Sequence, residues 1–413
     1  MKGSYLGSII KLVTGNVIAQ AIPLLLMPIL TNYYQPEDFG MYGTYISIAS
    51  VGAIIFTLRY EIAILQPKSD EDAEKIAVVS YILSVLISSS VMTITYILNI
   101  YFDFKIDLEI IFFLALGISS FSIINNYLNR VKDYNLMSVL RVVQVAITYG
   151  LPVIIVHSTP NILYLSLIIS YLVLFFIFTL KYKKIFSFNG YSVNDAKILL
   201  RKYKKYPKVD LPASFLSALS LYLPTLIIGF HYDLESAGIY FLVNKLIALP
   251  MGLFSTSIGM VFRREAQSAF NSTRSFREIY LITMKKLLLL SLLISIALYL
   301  VSPFLPYLLG NNWNGTTQMI NVMIPLLFVR FIASPLSFSL YIVNRMEVDF
   351  LGQIGFSLGL LGVFIIGFWG VELLDLVIIL NSFNVGMYIL YLHLTYKESK
   401  GKKSGEEHIV ENN

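Results

Sequence analysis

The chain has 413 residues, of which 56% are hydrophobic and only 14% charged, against about 25% charged in a soluble domain. With a mean hydropathy of +0.72 it cannot cover a water-exposed surface of this size, so soluble domains are excluded and an all-α polytopic membrane protein is expected. There is no cysteine, hence no disulfide, thiolate metal site or cysteine nucleophile. His157, His231, His393 and His408 lie far apart, so neither a metal nor a cofactor is expected. The net charge of +6 does not imply nucleic acid, because in a membrane chain the placement of charge matters more than its sum.

A bilayer core needs about 20 mostly apolar residues per helix. Twelve stretches meet this: Gly7–Tyr33, Met41–Leu65, Ile76–Ile100, Leu108–Leu128, Leu136–Val156, Ile162–Leu180, Val209–Phe230, Ala237–Phe262, Met284–Leu309, Met319–Val343, Leu351–Val371 and Leu374–Tyr396. Their continuous apolarity excludes a transmembrane barrel, whose strands alternate over about ten residues. The first stretch, flanked by Lys2 and containing Lys11, reads as a retained helix rather than a signal peptide. With both termini cytoplasmic, 27 of the 31 Lys and Arg fall on the cytoplasmic side and only Lys105 outside, so the distribution of basic residues favours that orientation.

The largest break, 181–208, carries nine basic residues. Its part from Asp195 to Tyr206 reads as an amphipathic helix at the membrane surface. The break divides the chain into a six-span lobe at 1–180 and another at 209–396, followed by a polar, disordered tail at 397–413. Equal span counts with the same starting side suggest a parallel repeat. Glu37-Asp38-Phe39-Gly40-Met41-Tyr42 and Glu235-Ser236-Ala237-Gly238-Ile239-Tyr240 support it, with Glu, Gly and Tyr matched 198 residues apart. Each glycine is expected to serve a tight turn at positive φ. Pro23 and Pro28 in the first span and Pro224 in the seventh are expected to bend their helices.

Charge within a span is costly and marks a partner or a wet cavity. Arg59, Lys245 and Arg330 are three such cations at different depths, suited to escorting an anion; pairing or snorkelling competes with that role for Arg59 and Lys245. Arg330, Ser334, Ser337, Tyr341 and Asn344 recur at helical spacing as a polar stripe. Asn16 with Gln20, Ser119 with Ser122, Asn126 and Asn129, Arg141 with Gln144 and Thr148, and Asp210 with Ser214 and Ser217 form others, read either as cavity lining or as helix-to-helix contacts. The candidate binding set is therefore Arg330, Lys245, Arg59, Asn16, Gln20 and Arg141. Glu61 and Asp210 are candidate acids, either for a coupling cation or for structure. Glu61 lies two residues from Arg59, so on an ideal helix the two would face nearly opposite sides and not pair.

The stretch Pro28-Ile-Leu-Thr-Asn-Tyr-Tyr-Gln-Pro36-Glu37-Asp38-Phe39-Gly40 with Leu58-Arg59-Tyr60-Glu61-Ile-Ala63 resembles the N-terminal signature of Wzx-type polysaccharide-biosynthesis flippases. Ala237-Gly238-Ile239-Tyr240 with Asn244-Lys245 and Pro250 is similar to the same family's eighth span. These flippases belong to the multidrug/oligosaccharidyl-lipid/polysaccharide exporter (MOP) superfamily. The resemblance implies two six-helix lobes around a cationic cavity. It also implies transfer of undecaprenyl-diphosphate-linked saccharide units from the inner to the outer leaflet of the bacterial cytoplasmic membrane by alternating access. H+ or Na+ as coupling ion and a glycan polymerase as partner are further expectations. A cation-coupled small-molecule exporter of the same superfamily is the first alternative. A membrane glycan polymerase or acyltransferase is the second, disfavoured by short outer connections and by the placement of His157 and His231 at outer span ends. No G-x-x-x-x-G-K-[ST] motif is present, which disfavours ATP hydrolysis by this chain.

Overall fold

The computed structural model describes residues 2–102, 106–155, 159–183 and 192–401. His157, Lys105, Lys184 and residues 402–413 with His408 lie outside the described residues. In chain order the helices are α1 (Lys2–Tyr33), α2 (Pro36–Thr57), α3 (Tyr60–Ala63), α4 (Asp70–Phe102), α5 (Leu108–Arg130), α6 (Tyr134–Ile154), α7 (Ile162–Lys181), α8 (Val193–Lys202), α9 (Leu211–His231), α10 (Leu234–Pro250), α11 (Thr256–Thr273), α12 (Arg277–Val301), α13 (Leu305–Leu309), α14 (Thr316–Leu336), α15 (Ser339–Ile342), α16 (Met346–Gly367) and α17 (Leu373–Ser399). A π-helical turn, Tyr206–Asp210, leads into α9, and another, Met251–Ser255, joins α10 to α11. Twelve segments of the described chain are long and apolar enough to cross a membrane. This is the expected outcome where lipid offers no hydrogen-bond partners and each backbone group must be satisfied within its own helix.

Several expected boundaries move. The second span ends at Thr57 rather than Leu65. α17 runs to Ser399, past the expected limit at Tyr396. Where a surface helix was expected over Asp195–Tyr206, a helix forms at Val193–Lys202 as α8, with Leu199 buried, Ile198 exposed, and the Tyr60 hydroxyl donating to the Leu200 carbonyl at 2.9 Å. Packing divides the chain into two compact units, Met1–Gly238 and Ile239–Asn413. In the first, α2 packs on α4, α5 and α9, and α6 lies between α1 and α7. In the second, α14 is central, packed by α11, α12 and α17.

The matched glycines do not turn the chain. The turns are the two-residue links at 34–35 and 232–233, and neither Gly40 nor Gly238 has positive φ. Pro36 at the first position of α2 and the Asp38 carboxylate, accepting from the Gln35 amide at 2.8 Å, start that helix. Asp233 does the same for α10 by accepting from the Ser236 amide at 2.7 Å. The glycines are needed for a close crossing. A Cβ on Gly40 would stand 1.9 Å from the Leu234 carbonyl oxygen, and one on Gly238 would stand 1.8 Å from the Pro36 carbonyl oxygen. The contact is reciprocal in the register of the repeat, since Pro36 and Leu234 each precede their glycine by four residues.

A second pair of sites repeats at a different offset. After α5, Lys132 is left-handed (φ 59) and the Asp133 amide reaches back to the Leu128 carbonyl at 2.9 Å. After α15, Asn344 is left-handed (φ 59) and the Arg345 amide reaches back to the Leu340 carbonyl at 2.8 Å. Both are left-handed helix terminations of one type. Each then fastens to the end of another helix in its own unit: Asp133 takes Lys181 at the end of α7, and Arg345 gives to Glu398 at the end of α17. The acid and base have changed places. Burial pushes the Asp133 carboxyl up, but hydrogen bonds from Lys181, Tyr182 and the Leu136 amide outweigh it and hold the group below its ordinary value.

Gly40→Ala puts a methyl group onto backbone that cannot rotate away, so a loss of more than about 2 kcal/mol is expected. Gly362, whose added Cβ would meet nothing within 4 Å, is the control. Thermal unfolding in detergent should show a large fall for Gly40→Ala and Gly238→Ala and almost none for Gly362→Ala.

Candidate functional site

The end of α2 is unusual. Leu58 (φ 47) and Arg59 (φ 64) are both left-handed, a conformation that costs a residue with a Cβ about 1–2 kcal/mol. The break swings Arg59 out of the helical spacing assumed from sequence. Its Nη1 donates to Glu61 Oε1 at 3.0 Å and its Nε to Asp210 Oδ2 at 2.6 Å. The expectation that Arg59 and Glu61 cannot pair is therefore wrong, because it presumed an unbroken helix. Arg59 is also not inside a helical span; it lies between α2 and α3.

Glu61 is 2% exposed, while the side chains of Arg59 and Asp210 are 22% and 41% exposed. The Ser214 hydroxyl adds a 3.4 Å bond to Asp210 Oδ2. Glu61 Oε2 is buried without a hydrogen-bond partner. Burial raises the Glu61 carboxyl above its ordinary value, against Arg59, the Thr57 side chain and its own amide, which favour the charged form. The two candidate acids are thus brought onto one guanidinium, although 151 residues separate Arg59 from Asp210. No residue near 58–59 signals the break in the sequence, where glycine would have been the usual cue.

In the second unit, Arg330 is half-buried on α14 and lies within electrostatic reach of Tyr240 on α10. Lys245, also on α10, is half-buried with its ammonium 5.2 Å from the centre of the Phe241 ring. Neither Arg330 nor Lys245 forms a salt bridge among the described residues. The polar stripe from Arg330 runs through Ser334, Ser337 and Tyr341. It stops there, because Asn344 is the left-handed terminator rather than a further helical position. The Tyr341 hydroxyl is turned to Asp349 Oδ2 at 3.0 Å. Arg263 on α11, which the sequence reading did not single out, stacks its guanidinium 3.9 Å over the Phe338 ring just after α14.

The remaining candidates are dispersed. Asn16 and Gln20 are half-buried on α1, and Gln20 Oε1 is buried without a partner. Arg141 is exposed on α6 and makes no salt bridge among the described residues. Other expected stripes are partly consumed by helix contacts: the Ser119 hydroxyl lies between the Ala115 and Ala53 carbonyls, and the Ser166 hydroxyl donates to the Thr148 carbonyl. No group of His, Asp and Glu among the described residues could hold a metal ion.

Twelve apolar helices carrying a few cations inside them define a polytopic membrane-protein fold. It is shared with an inward-facing multidrug resistance MATE family transporter of the MOP superfamily, at 15% identity and a TM-score of 0.67 over 92% of this chain and 94% of that one. It is shared equally with the lipid II flippase MurJ in an inward closed conformation, at 15% identity and a TM-score of 0.70 over 94% and 87%. The fold is thus that of the MOP superfamily. The sequence matches the family described as "Polysaccharide biosynthesis protein" over residues 29–318, and the chain belongs to that family. None of the curated proteins matches it in sequence.

Removing Arg59 alone leaves Glu61 buried without its cation, which costs about 3 kcal/mol or more in such pairs. Arg59→Ala should therefore unfold at clearly lower temperature than wild type, and Arg59→Ala/Glu61→Gln should recover much of the loss. A double mutant no better than Arg59→Ala would show that the pair is not coupled.

Proposed function

We propose that this protein is a flippase that carries a saccharide linked to a lipid diphosphate, undecaprenyl diphosphate, from the cytoplasmic to the outer leaflet by alternating access. Membership of the polysaccharide biosynthesis family supports the saccharide, and the MOP fold supports transport across a bilayer. The observation that carries the reading is Arg330: a guanidinium near the middle of a membrane helix with no carboxylate paired to it among the described residues. An uncompensated cation at that depth is costly unless it serves an anion or wet cavity, and a diphosphate head is such an anion. Lys245 is the second cation of this set. Arg59, held by two carboxylates, is assigned here to structure rather than to the head group. Asn16, Gln20 and Arg141 would meet the saccharide or the approach to it.

The termini are assigned to the cytoplasm, on the bacterial inner membrane. An inside-negative potential then favours outward movement of each net negative charge by about 2.3 kcal/mol per 100 mV. The saccharide would be delivered to a glycan polymerase acting on the outer face.

Two outcomes are expected. Arg330→Ala should lower flipping at least tenfold, as read by sidedness of the lipid-linked saccharide in depleted cells, with membrane abundance preserved. Arg330→Lys should keep part of the activity, because charge survives while planar bidentate geometry is lost. Full flipping by abundant Arg330→Ala protein would remove Arg330 from the path. For orientation, Ser192→Cys in this cysteine-free chain should resist an impermeant thiol reagent in intact cells and react in opened ones. Reaction in intact cells would reverse the topology.

A further inference from the structure

The connection between the sixth and seventh spans carries charge that the ties described above leave unused. Lys197, Arg201, Lys202, Lys204, Lys205 and Lys208 fall within twelve successive positions. All six are exposed, and none forms a salt bridge among the described residues. The acids at the two ends of the stretch are taken by other cations: Asp195 lies 3.9 Å from Lys75, and Asp210 holds Arg59 at 2.6 Å.

The stretch has two sides. Leu199 is buried and packs into the core of the first unit, with Leu200, Tyr203 and Tyr206 against it. The outer side bears the cations at helical spacing, with Lys197, Arg201, Lys204 and Lys208 along one line. Beside that line run Ile198, Lys202, Lys205 and Val209, whose two apolar ends are 63% and 57% exposed. The cations spread over about 16 Å at the helical rise of 1.5 Å per residue, too far for one phosphate to meet. A soluble anion would also leave Ile198 and Val209 in water. A bilayer surface satisfies both, since ammonium groups reach headgroup phosphate while aliphatic side chains enter the acyl boundary.

We propose that α8 and the turn leading into α9 form a docking strip for anionic phospholipid, whose headgroups bind the six cations while Ile198 and Val209 enter the edge of the acyl layer. Charge complementarity selects the occupant: an anionic headgroup attracts the strip, whereas a zwitterionic one brings its own cation and cancels much of that attraction. The strip is not a free anchor. The Tyr60 hydroxyl ties it to α3 through the Leu200 carbonyl, and its last residues lead into Asp210 and the Arg59 bridge. Bound anionic lipid therefore holds the start of the seventh span to the membrane surface, and the composition of the leaflet it faces acts on that junction. The strip is separate from the cations assigned to the cargo, and it stands whether or not the cargo is a lipid diphosphate.

The test uses Ile198→Cys in this cysteine-free chain, labelled with a bimane whose emission moves to the blue as it leaves water. The full chain in maltoside micelles, titrated with phosphatidylglycerol, should give a saturable blue shift, and titrated with phosphatidylcholine almost none. Sodium chloride should weaken the phosphatidylglycerol response. Adding Lys202→Gln/Lys204→Gln/Lys205→Gln should weaken it at least about tenfold, with thermal unfolding in the same micelles unchanged because all three side chains are exposed. Lys285→Gln/Lys286→Gln, which removes two exposed cations from α12, should leave the affinity as it was. An equal response to phosphatidylcholine, an unchanged affinity in the triple lysine variant, the same blue shift with inorganic phosphate, or an equal loss in the α12 variant would each overturn the proposal. Flipping is not measured in this experiment, so its failure is distinct from failure of the cargo assignment.

Discussion

Backbone meets backbone where the first turn of α2 crosses the first turn of α10, and the packing of the first unit depends on that approach. With hydrogen at both Gly40 and Gly238, each helix lies against a carbonyl of the other. No side chain sets the distance, so none can relax to restore it. This fixes one end of α2, the helix on which α4, α5 and α9 are packed. At its other end the chain leaves the helix through two left-handed residues, and the charges of Arg59, Glu61 and Asp210 determine where it goes next.

The cations inside this fold fall into two physical kinds. Arg59 is compensated by two acids and partly wet, so its electrostatic demand is met locally. Arg330 and Lys245 have no acid paired to them among the described residues, and Lys245 has only the face of Phe241, an interaction worth about 0.5–2 kcal/mol. That difference separates a cation that organises helices from one able to accept an outside anion. Position within a span groups the three together, and only the polar stripe beside Arg330 begins to separate them in the sequence.

The spans were legible because lipid leaves the backbone one solution, and a run of about 20 apolar residues is its direct signature. The repeat was legible too, through Gly40 and Gly238, but for the wrong physical reason: they suit a close crossing, and the turns are made one or two residues before each helix starts. The break at Leu58–Arg59 was illegible, because neither residue is glycine or proline and the acid that holds Arg59 there, Asp210, is 151 residues away. The pairing of Arg59 with Glu61 was misread as a consequence. Asn344 was misread in a related way: its spacing from Arg330 is helical, yet the helix has already ended. Its counterpart Lys132 carries no sequence likeness to it, so the shared termination shows only in the backbone.

Those two terminations carry ties of opposite polarity, acid-to-base at Asp133 and Lys181, base-to-acid at Arg345 and Glu398. If the halves descend from one duplicated segment, one tie has been inverted since the duplication. A single charge reversal at either end would have set two like charges against each other, so the inversion passed through a neutral or a mismatched intermediate. Divergence at such a tie proceeds by paired steps. Among relatives, the residues at 133 and 181, and those at 345 and 398, are therefore bound to vary as couples. A chimera that borrows one end of either tie from the other half inherits a repulsion rather than a fastening.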